Sequence, residues 1–533
     1  MTATAARPQI SDCHRAFGHL LRNFAAGVRD RRPAWLGYRA EAIAARLAQR
    51  LAAMTMMPFR RAYAAEPDAA ARGRAPISGP VRFEADAAWP RIAPRLVARF
   101  LLAFAFQWLQ VAVAATASLR LRSAPGSPGV LAYGIPAETI ARGADDADFA
   151  DFCRRGPVAP FREAARIFVQ FRGERASTDP RIRYGADPLL MLLRTGLGPA
   201  ALARFWSGHL RAAFSFLRAV AALPFACTLA RDFAQHAAAA AADRAGLLHG
   251  VLTTGSNYID QALWMSDLPS RGFRSHMVFY SINAHPFASA ACPRPAFNPA
   301  FSLMRADDFW VWTEGQAAMV AEWGIAAATH VCGPILFYLP KSDPAVDGRP
   351  RIALFDITPF RRGSRDERLA GTYYSPATAT AFLEDVVATR DRVAADLGIA
   401  IEIRLKPKRA TGPAHDPEYL ALVRRLADDP QGIAVDTSGA DLYALISAAT
   451  VVIAPPYSSP VHLAAHLGVP GIYYDPTREL LPNHETRDGI HFAGGVEELH
   501  RLLAGMFSAR PPVTIPPSAA DHDPARTTTA CPP

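Results

Sequence analysis

The stretch TVVIAPPYSSPVHLAAHLGVPGIYYD, from Thr450 to Asp475, contains two short apolar runs separated by a segment of helical pattern. The first run, TVVIA, and the last, GIYYD, have the length and the β-branched and aromatic residues of buried strands. The segment between them has Pro460 near its start, and proline is favoured at the first position of a helix. A strand, a helix and a second strand in this order predict part of a parallel sheet.

Short apolar runs alternate with helical patterns through most of the chain, in two series. The first follows the loop Ser123–Gly129 and includes a long helical region from Ala200 to Leu248, and the second follows the polar linker Pro340–Arg349. Because 533 residues exceed what one core supports, we predict an α/β fold with two Rossmann-like, doubly wound domains facing a cleft, and a helical N-terminal extension. The predicted bounds are 1–125 for the helical N-terminal region, 126–339 for the first Rossmann-like domain, 340–507 for the second and 508–533 for a disordered tail.

The charge and the cysteines limit the classes of function. The formal net charge is +10 and the pI is near 9.5, but the arginines are spread without a basic block, so no nucleic-acid partner is expected. An acidic substrate or an anionic membrane surface accounts for the excess equally well. The six cysteines lie far apart and do not cluster with histidines, which predicts neither a metal site nor a disulfide framework and fits a reducing cytoplasm.

The run Phe100–Leu119 contains 20 uncharged residues, about the length that spans a bilayer. Gln107 and Gln110 lie in its middle, so we expect a helix that is buried or lies in the membrane interface rather than one that spans it. Arginines on both sides of the run suit contact with anionic lipid. Since Met1–Leu20 lacks the pattern of a secretory signal, we expect a cytoplasmic protein, peripheral at the inner face of the cytoplasmic membrane.

Lys406 and Lys408 stand close together in LKPKR, at the end of an apparent strand, in a chain that has three lysines and otherwise uses arginine. A compact ammonium group suits a phosphate oxygen. Ser458 and Ser459 follow another strand where a helix begins, so their hydroxyls and the backbone N–H groups of that helix start form an anion site. We predict that these four residues and Arg409 bind the phosphate of a nucleotide ligand. The alternatives are a solvated strand end for the lysines and an ordinary helix N-cap for the serines.

Further polar residues end or follow predicted strands, where such sheets bind ligands. Asp356 and Thr358 lie at the end of RIALFDI, Asp441 follows the short strand IAVD, and Tyr457 follows TVVIA. We predict that these four residues contact the nucleotide or its ribose. Asp441 equally suits a carboxylate that stabilises the start of its own helix.

Several common motifs are missing from the sequence. There is no Gly-x-Gly-x-x-Gly, no Walker motif and no Gly-x-Ser-x-Gly. Dinucleotide redox chemistry, ATP hydrolysis of the usual kind and esterase chemistry are therefore disfavoured, and we expect no cofactor. We also expect no catalytic metal, on the interpretation that the chain lacks the Asp-x-Asp with which some transferases hold a divalent cation. Phosphate charge would then be neutralised by lysine and by a helix dipole.

The succession FDITP, YYSP, LKPKR and IAPPYSSPVHLAAHLGVPGIYYDP resembles the C-terminal half of the bacterial polysaccharide biosynthesis proteins named for a Pro-Phe-Thr-Ser motif. With YSINAHP, FWVWTEGQ and CGPILF, the resemblance covers about Val130 to Leu503. This chain has PYSS at 456–459 where Pro-Phe-Thr-Ser is usual, which keeps an aromatic residue and a hydroxyl. The resemblance implies a GT-B glycosyltransferase of surface glycan synthesis, such as capsule or O-antigen. It would take a nucleotide-sugar donor in the second domain and a glycan or lipid-linked glycan acceptor in the first.

A more distant similarity to bacterial sialyltransferases and Kdo transferases bears on the donor. In those enzymes a His-Pro loop, an acidic residue and a Ser-Ser or Ser/Thr pair at a helix start hold CMP. The segment 406–408, Asp441 and the serine pair 458–459 come in the same order here, with lysine in place of histidine. The similarity implies a CMP-sugar donor.

Inverting GT-B enzymes need a general base from the N-terminal domain, because the acceptor hydroxyl loses its proton as the sugar–phosphate bond breaks. Asp260 in TTGSNYID and His285 in YSINAHP are the candidate catalytic residues. Asp260 equally suits the start of a helix, and His285 equally suits a loop that is fixed by proline.

Three other functions stay open at this point. The first is a UDP-sugar epimerase on the same two-domain plan, and the second is a CDP-polyol phosphotransferase, which the same phosphate site would serve. The third is a non-catalytic scaffold that binds nucleotide or glycan within an assembly complex.

Overall fold

A computed structural model of the protein describes residues 9–31, 35, 37–72, 81–82, 90–117, 128–140, 145–173, 175–255, 261–268, 272–282, 287–341, 349–361, 373–408, 412–429, 432–436, 441–482 and 489–508. The N-terminal part is mainly helical. Its elements are α1 (Ile10–Asp30), α2 (Ala40–Ala65), α3 (Pro67–Ala71), the antiparallel strands β1 (Val81–Arg82) and β2 (Arg91–Ile92), and α4 (Pro94–Ala117).

A parallel sheet of seven strands follows. Its strands are β3 (Gly129–Tyr133), β4 (Arg166–Gln170), β5 (Ile182–Gly185), β6 (Leu248–Thr254), β7 (Arg274–Val278), β8 (Asp308–Val311) and β9 (Ala328–Val331). The helices are α5 (Ala137–Ile140), α6 (Ala147–Arg155), α7 (Ala159–Glu163), α8 (Pro188–Leu193), α9 (Pro199–Ala222), α10 (Ala230–Arg244), α11 (Trp264–Asp267) and α12 (Glu314–Glu322). The strand order β5-β4-β3-β6-β7-β8-β9 reverses direction between β3 and β6.

A second parallel sheet has six strands. They are β10 (Arg351–Phe355), β11 (Glu402–Lys406), β12 (Ala434–Val435), β13 (Val451–Ala454), β14 (Gly471–Asp475) and β15 (Ile490–Gly494). The helices are α13 (Pro376–Leu397), α14 (Pro417–Asp428), α15 (Leu442–Ser447), α16 (Ser459–His466) and α17 (Val496–Ser508). The order β12-β11-β10-β13-β14-β15 reverses between β10 and β13, and ligands of open sheets bind at such a reversal, off the carboxyl ends of the strands.

The predicted α/β fold with two doubly wound parallel sheets is confirmed. Helix starts in the second sheet follow from local chemistry, because Ser375, Asp416 and Asp441 each accept a first-turn backbone N–H of α13, α14 and α15. The predicted helical region Ala200–Leu248 is helical as far as Arg244, in two α-helices. A 3-10 turn that begins at Pro224 separates α9 from α10, because proline lacks the backbone N–H of an α-helical hydrogen bond, and Leu248 is already the first residue of β6.

The N-terminal helices pack against helices α9 and α10 of the first sheet. Buried side chains of α1, α2 and α4 share one core with Phe216 of α9 and Phe233 of α10. The predicted boundary between residues 125 and 126 stays a prediction, but the region before it does not have a core of its own.

The connection between the two sheets contributes to both cores. Ile335 and Phe337 pack in the core on the first sheet, while Tyr338 packs in a core on the second. Phe337 has φ 58°, a left-handed conformation that is costly for an aromatic residue and that turns neighbouring side chains toward different cores. The Tyr338 hydroxyl also accepts the backbone N–H of Leu442, at 3.2 Å, at the start of α15.

Candidate functional site

The point where the second sheet reverses direction holds the candidate site. The loops after β10 and β13 meet there, next to the start of α13. A small cleft at this place is lined by residues from all three segments: Asp356, Ile357, Pro359, Tyr373, Tyr374, Thr378, Ala379, Phe382 and Pro455. Two loops that the sequence singled out, at Asp356 and at PYSS, therefore stand on either side of one cleft.

Asp356 fixes the geometry of the loop that carries Lys408. Its carboxylate is buried and accepts the backbone N–H of Lys408 at 2.7 Å and the hydroxyls of Thr358 at 2.8 Å and Tyr419 at 2.7 Å. Burial, and then the charge of Asp356, raise the pKa of Tyr419 well above its usual value, so that hydroxyl stays a donor. Asp356 was predicted to contact nucleotide or ribose, and the contacts that the structure describes for it position the Lys408 loop.

Thr358 stands in an unusual backbone conformation. Its φ is 36°, which is costly for a β-branched residue, and its side chain is buried with the hydroxyl turned to Asp356. Its predicted contact with the nucleotide stays a prediction.

The two lysines lie at the end of β11, directly beside β10. Lys406 pairs with Phe355 in the ladder and is half-buried, whereas the side chain of Lys408 is exposed. Since β11 and β13 flank β10 on opposite sides, the lysines and the PYSS loop are separated by two strand spacings, about 10 Å. The structure thus places them on opposite sides of the Asp356 loop, an arrangement in which one phosphate could be contacted from both.

The PYSS loop is held from inside the protein. Tyr457 is buried with φ 61°, and its hydroxyl donates to the carbonyl of Leu481 at 2.6 Å. Ser458 is the N-cap residue of α16, but its hydroxyl donates to the carbonyl of Pro455 at 2.6 Å and makes no side-chain cap bond. A buried aromatic residue with positive φ is strained, and such strain persists where the surroundings impose it, often at binding sites.

Ser459 makes a hydrogen bond between the two sheets. Its hydroxyl oxygen accepts the backbone N–H of Ile282 at 3.0 Å, from the segment that follows β7 of the first sheet. Ser459 is the first residue of α16, so the first-turn N–H groups of this helix, with their partial positive charge, lie beside the same segment. The phosphate role of both serines stays a prediction.

Aromatic side chains form a second contact between the chain that follows β7 and the second sheet. Phe287 lies 5.1 Å from Tyr373, 5.1 Å from Tyr374 and 5.5 Å from Tyr457, measured between ring centres. The hydroxyl of Tyr374 donates to the carbonyl of Pro456 at 2.9 Å. The segment after β7 is thus fixed to the second sheet by Ile282 on one side and by Phe287 on the other.

Both candidate bases lie outside the described residues, as does Arg409. Asp260 belongs to the segment 256–260, which follows β6 at the reversal point of the first sheet, and His285 belongs to 283–286, between the two anchors Ile282 and Phe287. The described strands that precede these segments, β6 and β7, are neighbours in the first sheet.

Asp441 lies at the N-cap of α15, where it accepts the backbone N–H groups of Tyr443 at 2.9 Å and Ala444 at 3.4 Å. These bonds support the alternative in which Asp441 stabilises the start of its own helix. A ribose contact stays a prediction for this residue.

The interpretation that the chain lacks Asp-x-Asp, on which the expected absence of a catalytic metal was based, is wrong, because two such sequences occur in the chain. The carboxylate of Asp146 accepts hydrogen bonds from Ser177, Thr178 and Tyr184, and that of Asp148 pairs with Lys341 at 3.2 Å. The second sequence, at 521–523, lies outside the described residues. Within the described residues, no group of three His, Cys, Asp or Glu side chains is arranged to hold a metal ion.

Three residues of the site were missed from the sequence. Asp475, the last residue of β14, is buried and accepts the hydroxyl of Tyr373 at 2.8 Å, and burial followed by that charge raises the pKa of Tyr373 far above its usual value. Tyr419 reaches Asp356 from α14. A carboxylate at the end of the strand GIYYD was a usable signal for Asp475, whereas a tyrosine inside a helical pattern gives none.

Comparisons with known proteins give a family match and distant structural neighbours. Residues 215–503 match the sequence family described as polysaccharide biosynthesis PFTS motif protein. No curated protein sequence matches the chain. The wall teichoic acid polymerase TagF is similar with a TM-score of 0.38 and 9% identity, over 78% of this chain and 90% of that chain. The Methanocaldococcus jannaschii UDP-GlcNAc 2-epimerase, in complex with UDP-GlcNAc and UDP, has a TM-score of 0.34 and 9% identity, over 72% of this chain and 94% of that chain.

A third neighbour, TarM, has a TM-score of 0.30 and 7% identity, and the similarity covers 48% of each chain, about half the length of that protein. All of these TM-scores are low. The substrates and reactions of these neighbours are therefore not transferred to this chain.

Proposed function

Because the chain belongs to the family of polysaccharide biosynthesis PFTS motif proteins, we propose that it is a glycosyltransferase. It moves a sugar from a nucleotide donor to a surface polysaccharide or its lipid-linked precursor. The observation that carries this proposal is that the matched residues, 215–503, include every described residue that lines the cleft. The family description specifies no donor, so the CMP-sugar stays a prediction and is the first donor to test.

The donor phosphate lies, in this proposal, between the lysine pair and the start of α16. Lys406 and Lys408 supply positive charge from one side, and the first-turn N–H groups of α16 supply hydrogen bonds from the other. The Asp356 carboxylate acts indirectly, since it holds the backbone N–H of Lys408 at 2.7 Å and so positions the lysine. These groups offset the charge of the leaving nucleotide, and we propose that transfer does not need a divalent cation.

The acceptor side is formed by the first sheet. We propose a single inverting displacement, in which a base on the segment after β6 or β7 takes the proton of the acceptor hydroxyl while the sugar–phosphate bond breaks. Asp260 and His285 are the two candidates on these segments. Ile282 and Phe287, which precede and follow the segment of His285 in the chain, contact Ser459 of α16 and Tyr457 of the PYSS loop.

Nucleotide release tests the proposal. Purified full-length protein is mixed with CMP-, UDP- and GDP-sugars in turn, together with membrane extract as the source of acceptor, and free nucleotide is measured. Release from one of these donors that depends on the extract and persists in EDTA is expected. No release from any donor would overturn the proposal, and release that EDTA abolishes would overturn metal independence alone.

The same assay separates the other functions. Turnover of a free UDP-sugar without extract would identify an epimerase, and release from a CDP-polyol alone would identify a polyol-phosphate transferase. Nucleotide binding without turnover in any mixture would favour a scaffold.

A further inference from the structure

The described residues expose few large apolar side chains, and most of them lie on two helices. Ten such side chains are exposed, and seven of these belong to α4 and α9: Leu102, Phe106, Leu109, Val113, Leu210, Phe214 and Leu217. The most exposed are Leu102 at 73%, Phe106 at 62% and Phe214 at 62%. A soluble surface normally scatters such residues singly, so their concentration on two helices calls for a partner.

The two helices lie side by side on α10, and α4 and α9 run in opposite directions. Phe104 stacks on Phe216 at 4.1 Å between ring centres, and Trp108 stacks on His209 at 4.4 Å. The indole N–H of Trp108 donates a hydrogen bond to the carbonyl of His209 at 3.2 Å. The Nε2 of the His209 imidazole forms a hydrogen bond with the carbonyl of Trp108 at 3.0 Å. These contacts place Leu102 at the level of Leu217 and Leu109 at the level of Leu210, so the two exposed stripes form one surface.

The spacing of the exposed residues agrees with this surface. On α4 they recur at intervals of four and three from Leu102 to Val113, and on α9 from Leu210 to Leu217, which keeps each set on one side of its helix. The opposite sides are the buried ones, where residues such as Phe104, Phe205 and Phe216 are enclosed.

The charged side chains of these two helices all have one sign. Neither helix contains an Asp or a Glu, whereas both carry exposed arginines: Arg95, Arg99, Arg204, Arg211 and Arg218. Arg95 and Arg99 continue the α4 stripe beyond Leu102, and the three arginines of α9 recur every seven residues along the edge of its stripe.

We propose that α4 and α9 together form a platform that lies in the headgroup layer of an anionic lipid bilayer, with the seven apolar side chains inserted and the five arginines at the lipid phosphates. An amphipathic surface of this kind binds through buried apolar area and through attraction to anionic lipid. The platform does not depend on the proposed sugar transfer, since none of its residues lines the cleft.

A bilayer fits this surface better than a second copy of the chain. Two copies that met through their platforms would face each other with five arginines each and no carboxylate on either helix to pair with them. Lipid phosphates supply the missing negative charge.

The platform lies in the plane of the bilayer and does not cross it. The helix α4 is long and apolar enough to span, with a mean hydropathy of 1.7 over its most apolar window. Its other side, however, packs on the protein through Val111, Ala114 and Ala115, and Trp108 exchanges hydrogen bonds with His209. A spanning α4 would have to give up these contacts and uncover α10.

Flotation of full-length protein with vesicles tests the platform. Vesicles of phosphatidylcholine alone are compared with vesicles that also contain phosphatidylglycerol, at low and at high salt. We expect binding to the anionic vesicles that high salt weakens. Phe106→Ser and Phe214→Ser should each lower the partition coefficient about tenfold or more, because each removes a large inserted side chain. Arg211→Gln and Arg218→Gln should each lower it about fivefold on anionic vesicles and reduce the salt dependence.

Met57→Ser is the matched control. Met57 is also an exposed apolar residue, at 39%, but it lies on α2, outside the platform, and should leave flotation unchanged. Equal melting temperatures for all variants show that folding is intact, as exposed positions should allow.

Four results would overturn the platform. Wild-type protein that does not float with anionic vesicles, or platform variants that float as well as wild type, would each do so. A dimer in solution that Phe214→Ser converts to monomer, without any vesicle binding, would assign the surface to a second copy. Recovery of native protein in the membrane pellet after alkaline extraction would show that α4 spans.

Discussion

The carboxylate of Asp356 connects three elements of the candidate site through one buried group. It accepts hydrogen bonds from its own loop, from the backbone N–H of Lys408 after β11 and from the hydroxyl of Tyr419 on α14. A buried acceptor with three donors is costly to disturb, because each donor left unpaired loses its hydration without compensation. The position of Lys408 therefore depends on Asp356.

Asp356→Asn tests this dependence. The amide offers one oxygen in place of two and turns N–H groups toward existing donors, so the free energy of unfolding should fall by about 1–3 kcal/mol. Donor affinity should fall as well, because the Lys408 loop is released. Tyr419→Phe is the comparison, since it removes one donor and keeps the ring, and should cost only about 1 kcal/mol in urea unfolding. Equal stability of Asp356→Asn and wild type would contradict the role assigned to this carboxylate.

Lys408 itself should matter for binding and not for folding, because its side chain is exposed. Lys408→Ala removes a charge-assisted hydrogen bond and should weaken donor binding by about 1.5–3 kcal/mol with an unchanged melting temperature. Lys408→Arg should restore affinity if the site requires only charge, and should fail if it requires a compact ammonium group.

Lys341 supplies the control for this series. It is the one lysine of the chain outside the LKPKR segment, and it pairs with Asp148 at 3.2 Å. Lys341→Ala should therefore leave donor affinity unchanged. Donor affinity that stays the same in both Lys408 variants would reduce LKPKR to a solvated strand end. Titration calorimetry with the active donor measures all three variants.

At the scale of elements, the pairing of α4 with α9 depends on a neutral histidine. His209 is fully buried between Trp108 and Phe205, and burial lowers the pKa of its imidazole to about 4. Its Nε2 forms a hydrogen bond with the carbonyl oxygen of Trp108. Its Nδ1 is buried and has no hydrogen-bond partner among the described residues. A second proton would have to be placed on that Nδ1.

This predicts a loss of stability on mild acidification. The unfolded histidine has a pKa of about 6.5, so between pH 6.5 and 4 the unfolded chain binds more protons than the folded one, and the free energy of unfolding falls as pH falls. His209 should contribute on the order of 3 kcal/mol to this fall. His209→Phe keeps the ring stacking and should flatten the dependence of melting temperature on pH over this range.

The dependence that remains is expected from His14, because burial, followed by the charge of Arg60, lowers the pKa of His14 to about 4. His249→Phe, at an exposed position of β6, is the control and should melt with the wild-type pH dependence. A His209→Phe profile parallel to that of wild type would show that this imidazole is not the titrating group.

The sequence predicted the elements of the second sheet better than those of the first. Strand patterns such as RIALFDI and TVVIA, and helix starts at Ser375, Asp416 and Asp441, depend on local chemistry and were recognisable. The loops at strand ends could be identified because parallel strands place them at one edge. The roles of the Tyr373 and Tyr419 hydroxyls could not be predicted from the sequence. Their carboxylate partners lie 102 and 63 positions away in the chain and are brought near only by tertiary packing. The exposed stripe of α9 was missed for the same reason, since its pairing with α4 is tertiary.

At the scale of the whole molecule, the two sheets are connected at several independent points. The segment after β7 contacts α16 through Ile282 and the PYSS loop through Phe287. Further along, Ala288 accepts the backbone N–H of Leu481 at 2.9 Å. The Ile282 contact is at the start of α16, where the donor phosphate is proposed to lie, and the Phe287 contact is with the loop that precedes this helix. Binding of a nucleotide there should therefore raise the stability of both sheets.

Nucleotide binding should accordingly stabilise the molecule as a unit. A ligand that binds only the folded cleft adds about 2.7 kcal/mol at a concentration of 100 times its Kd, which calorimetry detects as a higher melting temperature. Among CMP, CDP, UDP and GDP, the nucleotide of the true donor should give the largest shift. Lys408→Ala should lose most of that shift. Phe287→Ala removes the aromatic contact between the sheets but leaves the hydrogen bonds of Ile282 and Ala288, so this variant should still melt as one unit, at a lower temperature, and the nucleotide should still raise that temperature. A shift that Lys408→Ala leaves intact would place the nucleotide elsewhere, and one unchanged transition for all four nucleotides would remove the basis for a donor site in this cleft.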